Sequence, residues 1–287
     1  MDKNFFGITF KNLRTSKGFK QADLVMSAVS KSTISSFELG DSDIQLSKFY
    51  KLIKKIGVSL EEFDYALNGY DFSDYDKLMV KIGTLYEQKN ISALKILLSS
   101  ETDRLKCSTS NIHDEINCAM IKCLIAEIDK DFTIDKDEKN KITDYLFKSE
   151  NWSYHQLVLY NNTIRILDTS SIVYYTDLAI SRSTYYEKIP LNKRLIMEML
   201  LNTMIVLCDK KEYMSAVKFK SYFERIVDER DLFEKTIYLY LKGSIDFYYG
   251  KVAKGKEQME KAINVLSDLE SYSLLGGLQE DYKEKYE

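Results

Sequence analysis

The sequence predicts an all-α protein built from two helical units. One proline and eleven glycines in 287 residues are too few for the many turns of a sheet-rich fold. Apolar residues recur at helical spacing along the chain, with short polar breaks between the runs. The chain is too long for one small bundle, and its 45% of hydrophobic residues can fill a sizeable core. We predict a small unit over residues 1–70 and a larger one over residues 71–287.

The stretch from Gln21 to Gly40 is predicted to form two helices joined by a tight turn, the first over residues 21–27. Ser30 is a suitable N-cap for the second helix, and Gly40 suits the left-handed residue that ends it. Ile34 and Phe37 are predicted to form its inner face. A polar outer face with a cation at the helix start is typical of a recognition helix in the DNA major groove. The outward residues are Lys31, Ser32, Ser35 and Ser36. The alternative is an ordinary polar helix face.

Helical patterns on both sides complete the first unit. The first helix is predicted over residues 4–16 and the fourth over residues 46–56, while Ser59 caps a fifth that begins at Leu60. The inward side chains of the flanking helices are predicted to be Phe5, Ile8, Phe10, Leu13, Phe49, Leu52, Ile53 and Ile56. Residues 1–58 carry ten Lys and Arg against five Asp and Glu, whereas the whole chain has a net charge of −3. A basic N-terminal segment in a chain that is acidic as a whole is typical of a DNA-binding domain joined to a regulatory domain.

This unit resembles the helix-turn-helix of the lambda-repressor and Cro class, in which the amide at the position of Gln21 contacts a phosphate. The runs SKSTISSFELGDSDI from Ser30 and SLEEF from Ser59 resemble the N-terminal domain of the Rgg/MutR family of transcriptional regulators from low-GC Gram-positive bacteria. Ser36 departs from that family, where arginine is common. The candidate DNA-binding residues are Arg14, Gln21, Ser30, Lys31, Ser32, Ser35 and Ser36.

The chain beyond Tyr70 is predicted to be a helical repeat. Paired helical patterns recur roughly every forty residues, a spacing found in two-helix repeats. The run from Tyr238 to Leu266 resembles a tetratricopeptide unit, with Gly243 where the helices approach closely and Gly250 at the turn. The small-large-small positions of its second helix are Gly255, Met259 and Ala262. Stacked pairs are expected to form a right-handed superhelix with a concave inner surface. A single helix is predicted over each of residues 152–167, 171–187 and 212–227, and Pro190 is placed in the first turn of its helix.

Tetratricopeptide geometry, carried onto this chain, predicts a groove with an apolar and aromatic lining and few charges. Such a lining suits an extended hydrophobic peptide, whose backbone amides need polar partners. Asparagines on the inner helices are predicted to supply those partners, and Arg165 is predicted to bind a peptide carboxylate. The alternative is that the aromatic residues are core and that Arg165 pairs with Asp168. The candidate peptide-binding residues are Asn161, Asn162, Arg165, Leu201, Asn202, Ile205, Ile237, Tyr240, Ser244, Phe247 and Tyr248.

The Rgg/MutR resemblance implies a division of labour between the two units. Such regulators are homodimers that bind palindromic sites in double-stranded promoter DNA. They respond to short hydrophobic signalling peptides that are secreted and re-imported into the cytosol, a form of quorum sensing. The residue patterns together with this resemblance predict a cytoplasmic, homodimeric transcription factor with a peptide-binding helical repeat.

Motifs for catalysis, cofactors and membrane insertion are absent from the sequence. The two histidines do not form HExxH, and no GxSxG, GxxxxGK[ST] or GxGxxG occurs. The four cysteines lack metal-ligand spacing, and no apolar run approaches the roughly twenty residues that span a bilayer. We predict no enzyme activity, no cofactor and no membrane partner. Two alternatives stay open: a protein-interaction scaffold without sequence-specific DNA binding, and a regulator independent of peptide.

Overall fold

The computed structural model describes residues 4–107 and 111–286. These residues form sixteen α-helices and three short 3₁₀ segments, and the only β-type pairing among them is an isolated bridge between Met26 and Val29. The predicted all-α fold class is therefore confirmed. The chain divides into two compact units, residues 1–83 and 84–287. This division falls inside a helix, whereas the boundary predicted from the sequence follows Tyr70. No helix in the described part of the chain is long and apolar enough to cross a bilayer.

The first unit contains short helices that agree closely with the predicted positions. They are α1 (Asn4–Ser16), α2 (Lys31–Leu39), α3 (Leu46–Lys55), α4 (Leu60–Leu67) and the start of α5 (Asp74–Glu87). The predicted caps are present: Ser30 accepts a hydrogen bond from the Thr33 amide at 3.1 Å, and Ser59 accepts one from Glu62 at 3.0 Å. Gly40 ends α2 in the left-handed conformation, with φ at 78°.

The helix predicted over residues 21–27 is wrong in type and length. Residues Gln21–Leu24 form a single 3₁₀ turn, and Val25 is already extended, with ψ at 136°. Two backbone hydrogen bonds between Met26 and Val29, at 2.9 and 3.1 Å, then close a tight turn that a continuous helix would break. Leu24 is buried, whereas Val25 and Ala28 are exposed.

The core of the first unit is built around a chain of aromatic rings. The centroid of Phe37 lies 5.8 Å from that of Phe10 and 6.1 Å from that of Phe49, and Phe49 lies 4.7 Å from Phe63. The predicted stripe of α3 is buried. Of the four side chains predicted to face inward from α1, Phe10 and Leu13 are buried, whereas Phe5 and Ile8 are exposed. Gly7 allows α1 to approach α2, since a Cβ at this position would lie 1.9 Å from the carbonyl oxygen of Phe37.

The second unit consists of helices that pack in succession. Helix α6 (Ile91–Cys107) packs on α7 (Ile112–Ile128), and α7 is followed in one layer by α9 (Tyr154–Thr163), α11 (Pro190–Asp209) and α14 (Leu232–Tyr248). Helix α11 is buried along most of its length and has Pro190 in its first turn, as predicted. The remaining helices are α8 (Lys136–Lys148), α10 (Thr169–Ser183), α12 (Tyr213–Lys218), α13 (Lys220–Ile226), α15 (Val252–Asp268) and α16 (Tyr272–Tyr286).

Three predicted helices are shorter or interrupted. The helix predicted over residues 152–167 starts at Tyr154 and ends in a 3₁₀ turn over Ile164–Ile166, and the one over 171–187 ends in a 3₁₀ turn over Thr184–Tyr186. The helix predicted over 212–227 is divided at Phe219, whose amide bonds the carbonyl of Ala216, a tighter turn than an α-helix makes. Burial of the Phe219 ring in the core accompanies this break.

The tetratricopeptide-like pair α14 and α15 has the geometry that its glycines predict. A Cβ at Gly243 would lie 2.6 Å from the carbonyl oxygen of Gly255, and a Cβ at Gly255 would lie equally close to that of Gly243. Gly250 has a φ of 80° in the turn between the helices. Met259 and Ala262 are fully buried on the facing side of α15.

Candidate functional sites in the two units

The outer face of α2 is polar and accessible. Lys31 and Ser32 are exposed in its first turn, and Ser35 and Ser36 are half-buried one turn later. The Ser30 hydroxyl lies 2.8 Å from that of Ser32, so the N-terminal end of the helix presents hydroxyl groups beside a cation. The fold thus holds these predicted DNA-binding residues on one surface, and their individual contacts remain predictions.

Arg14, another predicted DNA-binding residue, lies in the core instead. Its Nε and Nη2 donate to the two carboxylate oxygens of Glu38 at 2.5 and 2.8 Å, and its Nη1 donates to the carbonyl of Phe19 at 2.6 Å. Both side chains are buried, and hydrogen bonding to Glu38 raises the pKa of Arg14. Arg14 is therefore an internal ion-pair partner rather than a surface cation. Gln21 is half-buried and donates an amide hydrogen to the same carboxylate at 2.7 Å, which leaves its other N–H for a phosphate.

A cavity of about 910 Å³ lies in the second unit. Helices α7, α9, α11, α14 and α16 contribute to its walls. Seven of the eleven predicted peptide-binding residues line it: Asn161, Asn162, Arg165, Asn202, Ile205, Tyr240 and Ser244. Three-dimensional packing thus brings together side chains from positions far apart in the sequence.

Four predicted residues do not line this cavity. Leu201 and Ile237 are buried in the core between helices. Phe247 packs against the Tyr240 and Met259 cluster, with its ring centroid 4.8 Å from that of Tyr286. Tyr248 stacks on the cavity residue Tyr213 at 3.9 Å and is 54% exposed. The register carried over from tetratricopeptide repeats therefore assigned some residues of α14 to the wrong face of the helix.

Two of the three asparagines in the cavity wall are hydrogen-bonded to each other, and the third bonds the backbone of its own helix. The Asn202 side-chain amide donates to the Asn161 side-chain oxygen at 3.2 Å, and Asn161 donates to the carbonyl of Leu195 at 3.2 Å. Asn162 donates to the carbonyl of Val158 at 2.8 Å. Each amide group has further donor or acceptor capacity, so the wall holds fixed polar groups that suit a peptide backbone.

The predicted lining with few charges is wrong, because ion pairs form part of the wall. Arg165 bridges Glu127 and Asp209, with nitrogen–oxygen distances of 3.0 Å to each. The Tyr86 hydroxyl donates to Glu127, and burial raises the pKa of this tyrosine. Asp168, the partner of Arg165 in the alternative interpretation, instead caps α10 by accepting from the Ser171 amide at 2.9 Å.

The contribution of the C-terminal helix to the cavity was not predicted from the sequence. Tyr240 donates its hydroxyl hydrogen to Asp281 on α16 at 2.6 Å and approaches the carbonyl of Leu278 at 2.8 Å. The residues of α16 that line the cavity are Leu274, Gly277, Leu278, Asp281, Glu284 and Lys285, which recur every three or four positions. This helical spacing was a signal in the sequence, but the polar character of the stripe concealed it.

The described cysteines are buried, and Cys208 is also one of the residues that line the cavity. Cys118, Cys123 and Cys208 are buried free thiols, and burial raises the pKa of Cys123 and Cys208 to about 12. The Cys107 side chain lies outside the described residues. In residues 4–107 and 111–286, no group of three His, Cys, Asp or Glu side chains is placed to hold a metal ion.

A helix-turn-helix unit joined to a helical repeat that contains a cavity is the architecture of a class of transcriptional regulators. Comparison with family models places the chain within that class. Residues 10–63 match the helix-turn-helix model, and residues 99–280 match the C-terminal domain of the HTH-type transcriptional regulator Rgg. The second match spans more than half of the chain, so the chain belongs to the Rgg family. Because this family consists of transcriptional regulators, the prediction that the chain is not an enzyme is confirmed.

Solved structures with the same architecture support this assignment. The SHP pheromone receptor Rgg2 of Streptococcus dysgalactiae is 26% identical to this chain, with a TM-score of 0.83, and the match covers 97% of this chain and 99% of Rgg2. PrgX in its complex with cCF10 is 16% identical, with a TM-score of 0.72, and the match covers 99% of this chain and 100% of PrgX. The second likeness shows a shared fold over the whole length.

Proposed function

We propose that this Rgg-family regulator is a cytoplasmic homodimer that binds promoter DNA through α2 and a short peptide through the cavity of its second unit. The asparagine set in the cavity wall carries the peptide part of this proposal. An extended peptide exposes amide and carbonyl groups along its backbone. Burial of these groups without hydrogen-bond partners costs binding free energy. The 910 Å³ volume lies within the range of pockets that enclose a small ligand.

The relative with the higher identity supports the same class of ligand. Rgg2 is described as a pheromone receptor and aligns over nearly the whole of both chains. In the present chain, Ile205, Leu241 and Leu274 supply apolar cavity surface next to the polar groups. This mixture suits a peptide with hydrophobic side chains and a backbone held by Asn161 and Asn202.

The DNA part of the proposal rests on α2. Lys31 is exposed in the first turn, where the positive end of the helix dipole adds to its charge. Contacts to phosphates position such a helix, and small polar side chains such as Ser32 and Ser35 hydrogen-bond base edges. Two copies of the chain would place two recognition helices on the half-sites of a palindrome.

Peptide binding changes DNA binding only if the peptide has different affinities for two arrangements of the chain. We propose that the two units supply those arrangements and that the cavity selects between them. A peptide with equal affinity for both arrangements would occupy the cavity without regulating the promoter.

Peptide retention tests the cavity directly. The full-length protein is incubated with a random library of synthetic heptapeptides, and retained peptides are identified by mass spectrometry after gel filtration. We expect wild-type protein to enrich hydrophobic sequences and Asn202→Ala to lose about 1 kcal/mol or more of binding free energy. Asn140→Ala, an exposed position on α8, is the matched control. If wild type and Asn202→Ala retain the same amount of peptide, the asparagines do not take part in peptide binding.

A further inference from the structure

Helix α5 is the segment through which the chain passes from one unit to the other. It begins at Asp74 in the first unit and ends at Glu87 in the second, and the division between the units follows Gly83. A Cβ at Gly83 would meet no atom within 4 Å, so no neighbouring element packs closely against the helix at this position. The contacts that fix the end of α5 in the second unit therefore come from the residues after Gly83.

The last turn of α5 is held in the second unit by the side chain of Tyr86. The Tyr86 hydroxyl donates a hydrogen bond to Oε1 of Glu127 on α7, and the same oxygen lies 3.0 Å from Nε of Arg165. Burial and the adjacent carboxylate raise the pKa of Tyr86, so the hydroxyl keeps the hydrogen that it donates. The end of α5 is thus hydrogen-bonded to a charged group of the second unit.

The residues of this contact also form part of the cavity wall. Tyr86, Glu127 and Arg165 all line the cavity. A carboxylate offers about four acceptor sites, so Glu127 has capacity left for an N–H of a ligand. Such an N–H attracts the same negative charge that holds Tyr86 and Arg165. The position of the last turn of α5 therefore depends on a group that a cavity ligand can bind.

We propose that Tyr86 couples the cavity to the first unit through its hydrogen bond to Glu127, the anchor contact. While the anchor contact is formed, the last turn of α5 has a fixed position against α7. A peptide N–H that binds Glu127 competes with the Tyr86 hydroxyl and releases this turn, so the peptide has different affinities for two arrangements of the chain. This coupling rests on the proposed function of the cavity, whereas the anchor contact itself does not.

Hydrogen–deuterium exchange of the full-length protein without ligand tests the anchor contact. The reporter amides are those of residues 88–90, which donate to carbonyls in the last turn of α5. Tyr86→Phe removes only the hydroxyl that bonds a charged acceptor, so exchange of the reporter amides should rise about ten-fold. Tyr222→Phe is the matched control, because the Tyr222 hydroxyl also donates to a carboxylate, that of Glu187 at 3.2 Å, but does not line the cavity. It should change exchange of the reporter amides less than two-fold.

A second substitution separates the anchor contact from a general loss of stability around the cavity. Glu127→Gln removes the charge that accepts from the Tyr86 hydroxyl, and it should raise exchange of the reporter amides several-fold. In a chain that already carries Tyr86→Phe, the same substitution should change exchange less than two-fold, because the contact has been lost. Unchanged exchange in Tyr86→Phe, or effects of the two substitutions that multiply, would overturn the proposal.

The coupling is measured as the ratio of DNA affinities with and without peptide, at peptide concentrations that saturate each variant. The DNA is the set of genomic fragments that wild type enriches, and the peptides are the synthetic heptapeptides that it retains. In Tyr86→Phe this ratio should fall to about 1, whereas Tyr222→Phe should keep the wild-type ratio. A wild-type ratio in Tyr86→Phe would overturn the coupling. If exchange behaves as expected but wild type itself shows no response to peptide, the anchor contact stands and the proposed peptide function fails.

Discussion

Replacement of Arg14 by methionine should abolish DNA binding although Arg14 does not face solvent. The substitution leaves the buried Glu38 carboxylate without its cation and leaves the carbonyl of Phe19 without the donor it has at 2.6 Å. Removal of one partner of a buried ion pair costs about 3–5 kcal/mol. Since small domains have about 5–15 kcal/mol of stability in total, most of the stability of the first unit would be lost.

Amide exchange measures this loss where it occurs. The amides of α2 should exchange roughly a hundred-fold to several-thousand-fold faster in Arg14→Met, the ratio that corresponds to 3–5 kcal/mol. Trp152 is the single tryptophan and lies buried in the second unit, so its fluorescence should stay unchanged and show that the loss is local. Lys11→Met, an exposed position on the same helix, should leave α2 protected.

The double variant Arg14→Met/Glu38→Leu distinguishes a structural role from a DNA contact. Replacement of a whole buried ion pair by apolar side chains is often neutral or stabilising, so protection of α2 should return. DNA binding should return with it. A double variant that regains protection but still fails to bind DNA would contradict the structural interpretation and make Arg14 a direct contact.

Two further substitutions and one change of pH are expected to alter stability or DNA binding. Gly7→Ala should lower the free energy of unfolding of the first unit by about 2 kcal/mol in urea titrations that follow α2 exchange, because the new Cβ meets the carbonyl of Phe37 at 1.9 Å. Lys31→Ala should weaken operator binding and reduce the slope of log K against log salt by about 1, because one phosphate contact is lost. Lowering the pH from 6.5 to 4 should destabilise the second unit by about 1–2 kcal/mol through His155, in urea unfolding followed by Trp152 fluorescence.

The sign of the pH effect follows from the surroundings of His155. Burial and the neighbouring His113 lower the pKa of His155 to about 4, whereas an unfolded chain titrates near 6.5. The unfolded chain therefore takes up the proton first as the pH falls, and stability present above pH 6.5 is lost toward pH 4. His155→Gln should flatten this loss.

Each of the three predictions has a result that would contradict it. Gly83→Ala controls for Gly7→Ala, and equal stability of the two variants would mean that α1 and α2 do not pack as described. An unchanged salt slope in Lys31→Ala would remove Lys31 from the DNA interface, with the exposed Lys81 on α5 as the control position. An acid response in His155→Gln as steep as in wild type would assign it to other groups.

Local signals accounted for most of the fold. Caps such as Ser30 and Ser59, the left-handed Gly40 and the glycine pattern of α14 and α15 act over a few residues, so they can be recognised in sequence. The 3₁₀ turn at Gln21–Leu24 could not be recognised in this way. Its geometry depends on the turn between Met26 and Val29 and on Leu24 entering a core built by distant helices.

The sites were less predictable because they depend on which distant residues meet. Nothing near Arg14 in the sequence indicates that Glu38 forms an ion pair with its guanidinium group. For Arg165, an acidic residue lies nearer in the sequence than Glu127 or Asp209, its partners in the structure. The asparagines were predictable as polar groups on inner helices. The α16 wall was not, because its residues become a surface only when the last helix folds back beside α14.

Selection of bound fragments from the organism's own genomic DNA, at near-physiological salt, tests the account most directly. The full-length protein should enrich an inverted repeat whose half-sites lie about one helical turn, roughly 34–36 Å, apart. The retained heptapeptides should then shift the affinity for that repeat. Salt-sensitive binding without sequence enrichment would contradict the account and favour a protein-interaction scaffold. If an inverted repeat is enriched but no retained peptide changes the affinity for it, the protein is a regulator that acts independently of peptide.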